Sequence, residues 1–192
     1  MVTLNRIYTR AGDKGRTRLA TGEPVPKYDT RVSAYGSVDE ANATIGLARL
    51  QCGGDSWLDG VLARIQNEMF DLGADLATPE RDEPLGYEPL RVTAAQVERL
   101  EQDIDEMNAR LEPLTSFVLP AGSPLACALH LARTVTRRAE RDAVRLADTD
   151  GEAVSPEAVR YLNRLSDLLF VAARRANDDG RADVLWRPGA TR

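Results

Sequence analysis

An all-α fold, an up-and-down five-helix bundle carrying an irregular N-terminal arm, is what this sequence predicts. From residue 37 onward apolar side chains recur at helical intervals, and strand-like alternation is absent. Capping residues, glycines and prolines then divide that stretch into five segments of about four to six turns, joined by short connections.

The first helix opens at Ser37, which has capping-box spacing to Glu40, runs through VDEANATIGLARL and ends near Gly53 and Gly54. A second follows from about Asp55 to Ala77. The next segment, TPERDEPLGYEPLRV, has three prolines and many charges. It is a loop within one domain, because neither side alone has enough core. Thr93 and Gln96 cap a third helix that runs to about Leu111 and is closed by Pro113. Ser123-Pro124 and Ser155-Pro156 each set a capping serine before a first-turn proline, opening helices that run to about Leu146 and Ala176. The expected organisation is one domain over 1–192, with an arm over 1–35, a bundle over 36–180 and a tail over 181–192.

Composition narrows the function classes. A chain of 192 residues, 43% hydrophobic and 29% charged, suits one domain with a sizeable core. It has no run of eighteen uncharged apolar residues, and MVTLNRIYTR lacks a signal-peptide block, so no membrane insertion and a cytoplasmic location are expected. A net charge of -5 with interspersed signs argues against general nucleic-acid binding, so any anion site is local. Cys52 and Cys127 have no paired spacing and read as buried thiols. His130 is the single histidine, and position 127 is Cys, which excludes a di-iron bundle built on two Glu-x-x-His motifs. A serine or cysteine hydrolase triad lacks its base for the same reason, and His130 reads as a packed residue.

Three stretches can carry chemistry. In TRAGDKGRT, Gly12 and Gly15 let successive amides face one concavity, while Arg10, Lys14, Arg16 and Thr17 add donors suited to phosphate. The run is not a Walker A sequence, and a solvated surface turn is the alternative. On the fourth helix, which carries LHLARTVTRRAERDAVRLA, Leu125, Leu129, Ala132, Ala139, Ala143 and Leu146 share one arc, with Arg133, Arg137, Glu140 and Arg141 beside it. Those arginines suit a solvated face, a phosphate or a subunit boundary. In YLNRLSDLLFVAARRA, Tyr161, Leu162, Leu165, Leu169 and Ala172 form the apolar face, and Asn163 and Ser166 stand three apart. Asn163 offers a donor and an acceptor to a base or ribose, or to a neighbouring helix.

Taken together, YTRAGDKGRT, ATGEPVPKYD, AYGSVDEANATIGLAR, FVLPAG, RTVTRRAER and YLNRLSDLLFVAAR resemble the PduO-type ATP:cob(I)alamin adenosyltransferase family, in order and spacing, over nearly the whole chain. The resemblance implies homotrimers of five-helix bundles, with ATP and the corrinoid at subunit interfaces. It implies transfer of the 5′-deoxyadenosyl group of ATP to the cobalt of cobalamin, with Mg²⁺ accompanying the released triphosphate. Thr9, Arg10, Gly12, Asp13, Lys14, Gly15, Thr17 and Arg18 would wrap the phosphates, joined by Lys27. Arg137, Glu140, Arg141 and Asn163 match ATP-contacting positions, and Arg138 lies in the same block. Arg137 would take the main electrostatic role, and Asp39 would pair with Arg133 across the subunit boundary. Phe117 would press on the lower face of the corrinoid, leaving a four-coordinate Co(II) that accepts an electron more readily. A reductase and an adenosylcobalamin-dependent mutase are the implied partners.

The sequence departs from the family's pattern at Ala41, where leucine is usual, and at Ala121, where glycine is frequent. The second concerns the path of the corrinoid-side loop. Two other classes stay open: an ATP-binding sensor without turnover, which could dispense with Phe117, and a structural helical protein, which leaves the glycine-rich arm unexplained.

Overall fold

Five apolar stripes set the architecture of the computed structural model, which describes residues 7–80 and 85–192. They lie on α1 (Thr30–Arg49), α2 (Ser56–Ala77), α3 (Ala94–Asn108), α4 (Pro124–Ala147) and α5 (Pro156–Ala176). α4 packs between α1 and α5, α2 lies against α1, and α3 lies against α5. Ile45, Leu62, Leu129, Tyr161, Leu165 and Leu169 are fully buried where these faces meet. The Tyr161 hydroxyl is satisfied inside that core, donating to Glu68 Oε2 at 2.8 Å. Among the described residues no helix is long and apolar enough to cross a membrane.

α1 begins seven residues before the expected Ser37, so the arm is shorter than residues 1–35. Asp29 is its cap, accepting from the Arg31 amide at 2.8 Å. The periodic pattern misses this first turn because its inward residue is an arginine. Arg31 is 1% exposed, and its guanidinium donates to Leu76 O at 2.6 Å and pairs with Glu152. Ser37 caps nothing; its hydroxyl donates to Asp142 Oδ2 on α4 at 2.6 Å.

The other boundaries follow local signals. Asp55 Oδ1 accepts from the Leu58 amide at 3.1 Å and starts α2. Gln96 Oε1 accepts from the Thr93 amide at 2.8 Å, the back half of the expected capping box, and α3 ends at Asn108 rather than Leu111. Ser123 Oγ caps α4 at 3.1 Å from the Ala126 amide, whereas Ser155 makes no side-chain cap bond to α5. In the α2–α3 loop, whose residues 81–84 lie outside the described ones, the buried Asp75 holds Arg91 at 2.7 Å and the Val92 amide at 2.8 Å. Cys52 is buried as expected, but Cys127 is exposed on α4, so only one thiol is a core residue.

The arm contains a small hairpin that no alternation announces. β1 (Arg16–Arg18) and β2 (Pro24–Pro26) pair antiparallel, with Thr17 opposite Val25. Leu19 and Val25 bury their side chains beneath it, and the Ala20 amide donates to Ala77 O at 3.0 Å, docking the arm on the end of α2. Prolines suit this edge position because neither has an amide to leave unpaired.

Candidate functional site

The arm folds around a recess of about 580 Å³ lined by Thr9, Gly12, Arg16, Thr17, Arg18 and Lys27, together with Ala11 and Pro24. Arg10 and Gly15 take positive φ values of 62° and 74°, which curls the chain, and the Gly15 amide closes a turn onto Gly12 O at 3.1 Å. Lys27 is stitched opposite, its amide donating to Gly15 O at 2.9 Å. Its ammonium covers Gly12 so closely that a Cβ there would fall 3.0 Å from Nζ. Arg16 and Arg18 already spend a guanidinium N–H each on the hairpin carbonyls of Pro24 and Gly22, both at 2.9 Å. Asp13 and Lys14 are exposed and line no part of the recess. The Arg10 guanidinium stands 5.7 Å from the Tyr8 ring centroid. Tyr35 on α1 hydrogen-bonds the Thr17 side chain, and burial followed by the Asp29 charge raises its pKa above the ordinary value.

The second grouping lies along the α4–α5 groove. Asn163 Nδ2 donates to Glu140 Oε1 at 2.9 Å, Arg141 Nη1 donates to Arg137 O at 3.0 Å, and Arg137 Nη1 reaches Ser166 Oγ at 3.5 Å. Four of the expected residues therefore share one patch, and the buried Ser166 joins them. Arg137 has no carboxylate partner among the described residues, which leaves its charge available. Arg138 is committed elsewhere, paired with Glu40 on α1.

The third grouping is a recess of about 490 Å³ walled by Leu114, Ser116, Phe117, Val118, Arg133 and Phe170. Phe117 is 77% exposed at the edge of this recess. Its ring meets Trp186 edge-on, centroids 6.0 Å apart. The expected tail is therefore a structural strap. Leu119 donates to Val184 O and Trp186 donates to Phe117 O, both at 2.8 Å, and Ser116 Oγ donates to Trp186 O at 2.8 Å. The loop path left open by Ala121 is also defined: Ala121 O accepts from Asn177 Nδ2 at 3.1 Å, and Gly122 turns the chain at φ 120°.

Burial and then the Arg137 charge pull the Arg133 guanidinium below its ordinary pKa, and its Nε is buried without a hydrogen-bond partner. Asp39 is exposed on α1, and within one chain no ion pair joins it to Arg133. Behind Arg133, His130 is 1% exposed, both ring nitrogens lack a partner, and its ring lies 6.3 Å from Phe170. Burial, then Arg133, lowers its pKa, against a smaller opposing effect of Asp183. Burial thus favours the neutral imidazole, and the ring is not among the side chains that line the recess.

α4 acts as a ruler between the last two groupings. Arg133 and Arg137 are one turn apart, about 6 Å along the axis. The arm recess is separate, since none of its lining residues comes from α4. Among the described residues no group of three or more His, Cys, Asp or Glu side chains could hold a metal ion.

Sequence reasoning left out Tyr35, Phe170 and Trp186. The apolar run Val184-Leu185-Trp186 within RADVLWRPGATR is the available signal for the strap.

Comparison with known proteins places these groupings in context. A family model described as cobalamin adenosyltransferase matches residues 7–176. The corrinoid adenosyltransferase of Mycobacterium tuberculosis strain H37Rv is 52% identical over 191 residues, covering 100% of this chain and 97% of that one. A phenylalanine-to-histidine variant of the PduO-type ATP:corrinoid adenosyltransferase from Lactobacillus reuteri, complexed with cobalamin and ATP, superposes with a TM-score of 0.88 at 39% identity, over 95% of this chain and 97% of that one. An arginine-to-lysine variant of the same enzyme, complexed with ATP, gives 0.83 at 40% identity over 94% and 100%.

Proposed function

The chain belongs to the cobalamin adenosyltransferase family, and we propose that its arm recess and the Arg137 edge of α4 grip the triphosphate of ATP while the Phe117 recess takes the corrinoid. The activity is transfer of the 5′-deoxyadenosyl group of ATP to the cobalt of reduced cobalamin, giving adenosylcobalamin and triphosphate. The observation that supports this site is the one-turn spacing on α4 between Arg133, in the wall of the Phe117 recess, and Arg137, in the polar patch. One rigid helix thereby sets the nucleotide against the corrinoid.

Cob(I)alamin is its own nucleophile. Its cobalt electron pair forms the bond to C5′ as the C5′–O bond breaks, and that bond's electrons leave with triphosphate. No protein base is required, in keeping with a single histidine that is buried and neutral. The chain's task is to align the ends and hold the growing negative charge, with Arg137 and Arg141 on one side and Lys27 and the arm amides on the other. The exposed Phe117 ring excludes water and the lower ligand from cobalt, which eases reduction of Co(II). Magnesium would enter as a counterion of ATP, which usually binds it through phosphates and water; the described residues offer it no cage, and no step is assigned to it.

The assembly proposed is a homotrimer with sites between protomers. Two features support it: among the described residues no α4 side chain lines the arm recess, and no ion pair joins Asp39 to Arg133 within one chain. In the trimer, Asp39 of one protomer pairs with Arg133 of the next. The enzyme works in the cytoplasm with a reductase upstream and an adenosylcobalamin-dependent mutase downstream. Incubation with ATP, Mg²⁺ and chemically reduced cobalamin tests the activity through the visible spectrum. A cobalt–carbon product is expected, and a spectrum unchanged by ATP would contradict it.

A further inference from the structure

We infer that Asp183 is a positioning residue that sets the Phe117 ring over its recess by anchoring the C-terminal strap. The inference rests on the reading above that Phe117 faces the corrinoid. After α5 the chain reverses through three consecutive residues with positive φ, Asp178 at 55°, Asp179 at 49° and Gly180 at 81°. It then buries a carboxylate: the Asp183 side chain is 2% exposed and that of its partner Arg174 is 8%. Arg174 Nε donates to Asp183 Oδ2 at 2.8 Å, and Asn177 Nδ2 donates to Oδ1 at 3.3 Å.

The same two partners hold both ends of the loop that carries Phe117. Arg174 Nη2 donates to Glu112 O at 3.0 Å. Asn177 donates to Ala121 O and accepts from the Ser123 amide at 2.9 Å. Immediately after Asp183, Val184 and Trp186 make the backbone bonds to Leu119 and Phe117. Val184, Leu185 and Trp186 are 40%, 41% and 44% exposed, so burial in the core does not fix the strap's register. An ion pair taken out of water is a weak source of stability but a good source of register, because only one alignment satisfies it. Asp183 is the point where that alignment passes to the Phe117 backbone.

The test compares two routes in the full-length enzyme: ATP with chemically reduced cob(I)alamin, and ATP with cob(II)alamin plus a reduced flavin as electron donor. Asp183→Asn is expected to keep the cob(I)alamin rate while losing about 10–100-fold from cob(II)alamin, the usual scale for removing a residue that orients a ligand-contacting group. The electron paramagnetic resonance signature of four-coordinate Co(II) should vanish with it. Should that variant fail to fold, Arg174→Met with Asp183→Ala leaves no unpaired buried ion and must show the same split. Equal loss on both routes, or no loss on either, overturns the inference. Phe117→Ala run alongside separates the two ideas. No split in Phe117→Ala defeats the wedge reading itself, whereas a split there but not at Asp183 defeats only the positioning role.

Discussion

Replacing Arg137 by alanine should separate catalysis from folding. The side chain is exposed, and among the described residues its one hydrogen bond is the 3.5 Å contact to Ser166 Oγ. The Arg141 bond goes to the Arg137 backbone carbonyl and survives the substitution. Loss of such a surface contact is worth no more than about 0.5 kcal/mol, or about 1–2 °C in Tm for a chain of this size. The catalytic cost is much larger, because a fixed donor aimed at developing charge typically contributes about 2.7–4 kcal/mol. That predicts a fall of about 10²–10³-fold in kcat with chemically reduced cob(I)alamin and saturating ATP. Single-turnover kinetics, thermal unfolding and sedimentation on the same preparation read the three quantities together. A kcat within about threefold of the parent, or a Tm loss above about 4 °C, would refute the reasoning.

Arg133→Ala should differ, reducing assembly as well as turnover, because a broken buried ion pair leaves its partner charge uncompensated at about 3–5 kcal/mol. An intact and active oligomer on sedimentation and assay would count against the pairing with Asp39. Gly122→Ala should lower stability by about 4–6 kcal/mol, from backbone strain plus the loss of the Asn177 hydrogen bonds at about 1 kcal/mol each. The new Cβ would fall 2.2–2.6 Å from the Asn177 amide group at a φ of 120°. A Tm within about 3 °C of the parent contradicts this. His130 makes stability depend on pH. Its folded pKa is depressed, so its contribution is whole above the unfolded value of about 6.5 and is lost as pH falls from there through the lowered folded value. The charged groups facing it are Arg133 and Asp183. Chemical denaturation across that window should show the loss in the parent and not in His130→Phe; identical profiles remove His130 as its source.

Helix boundaries were legible where the signal was local. Asp55, Ser123-Pro124 and Ser155-Pro156 stand at the starts of α2, α4 and α5 within a residue. The start of α1 was not, because Arg31 faces inward and its charge is answered by Glu152, more than a hundred positions away. The hairpin was not, for a different reason: strands of three residues, one of them flanked by prolines, are too short to carry alternation, and their order comes from Leu19 and Val25 docking on the bundle. Within the site, the helical spacing of Arg133, Arg137, Glu140 and Arg141 placed them correctly as a border to the apolar arc, and the α4–α5 groove brings Asn163 to the same patch. The strap could not be read from spacing, since strand-like pairing of 184–186 with 117–119 is a tertiary event. The prior commitments of Arg16, Arg18 and Arg138 to local partners were equally hidden.

Mixed rings test most directly whether the arm of one protomer and the arginine edge of another make one site. A Lys27→Ala chain and an Arg137→Ala chain, each nearly inactive alone, would be co-expressed with different tags and the mixed species isolated. In a cyclic trimer with heterologous interfaces every mixed ring contains one interface with an intact arm and an intact edge, so activity should return to about one third of the parent. Mixed rings that stay as inactive as either pure variant would show that both halves belong to the same chain.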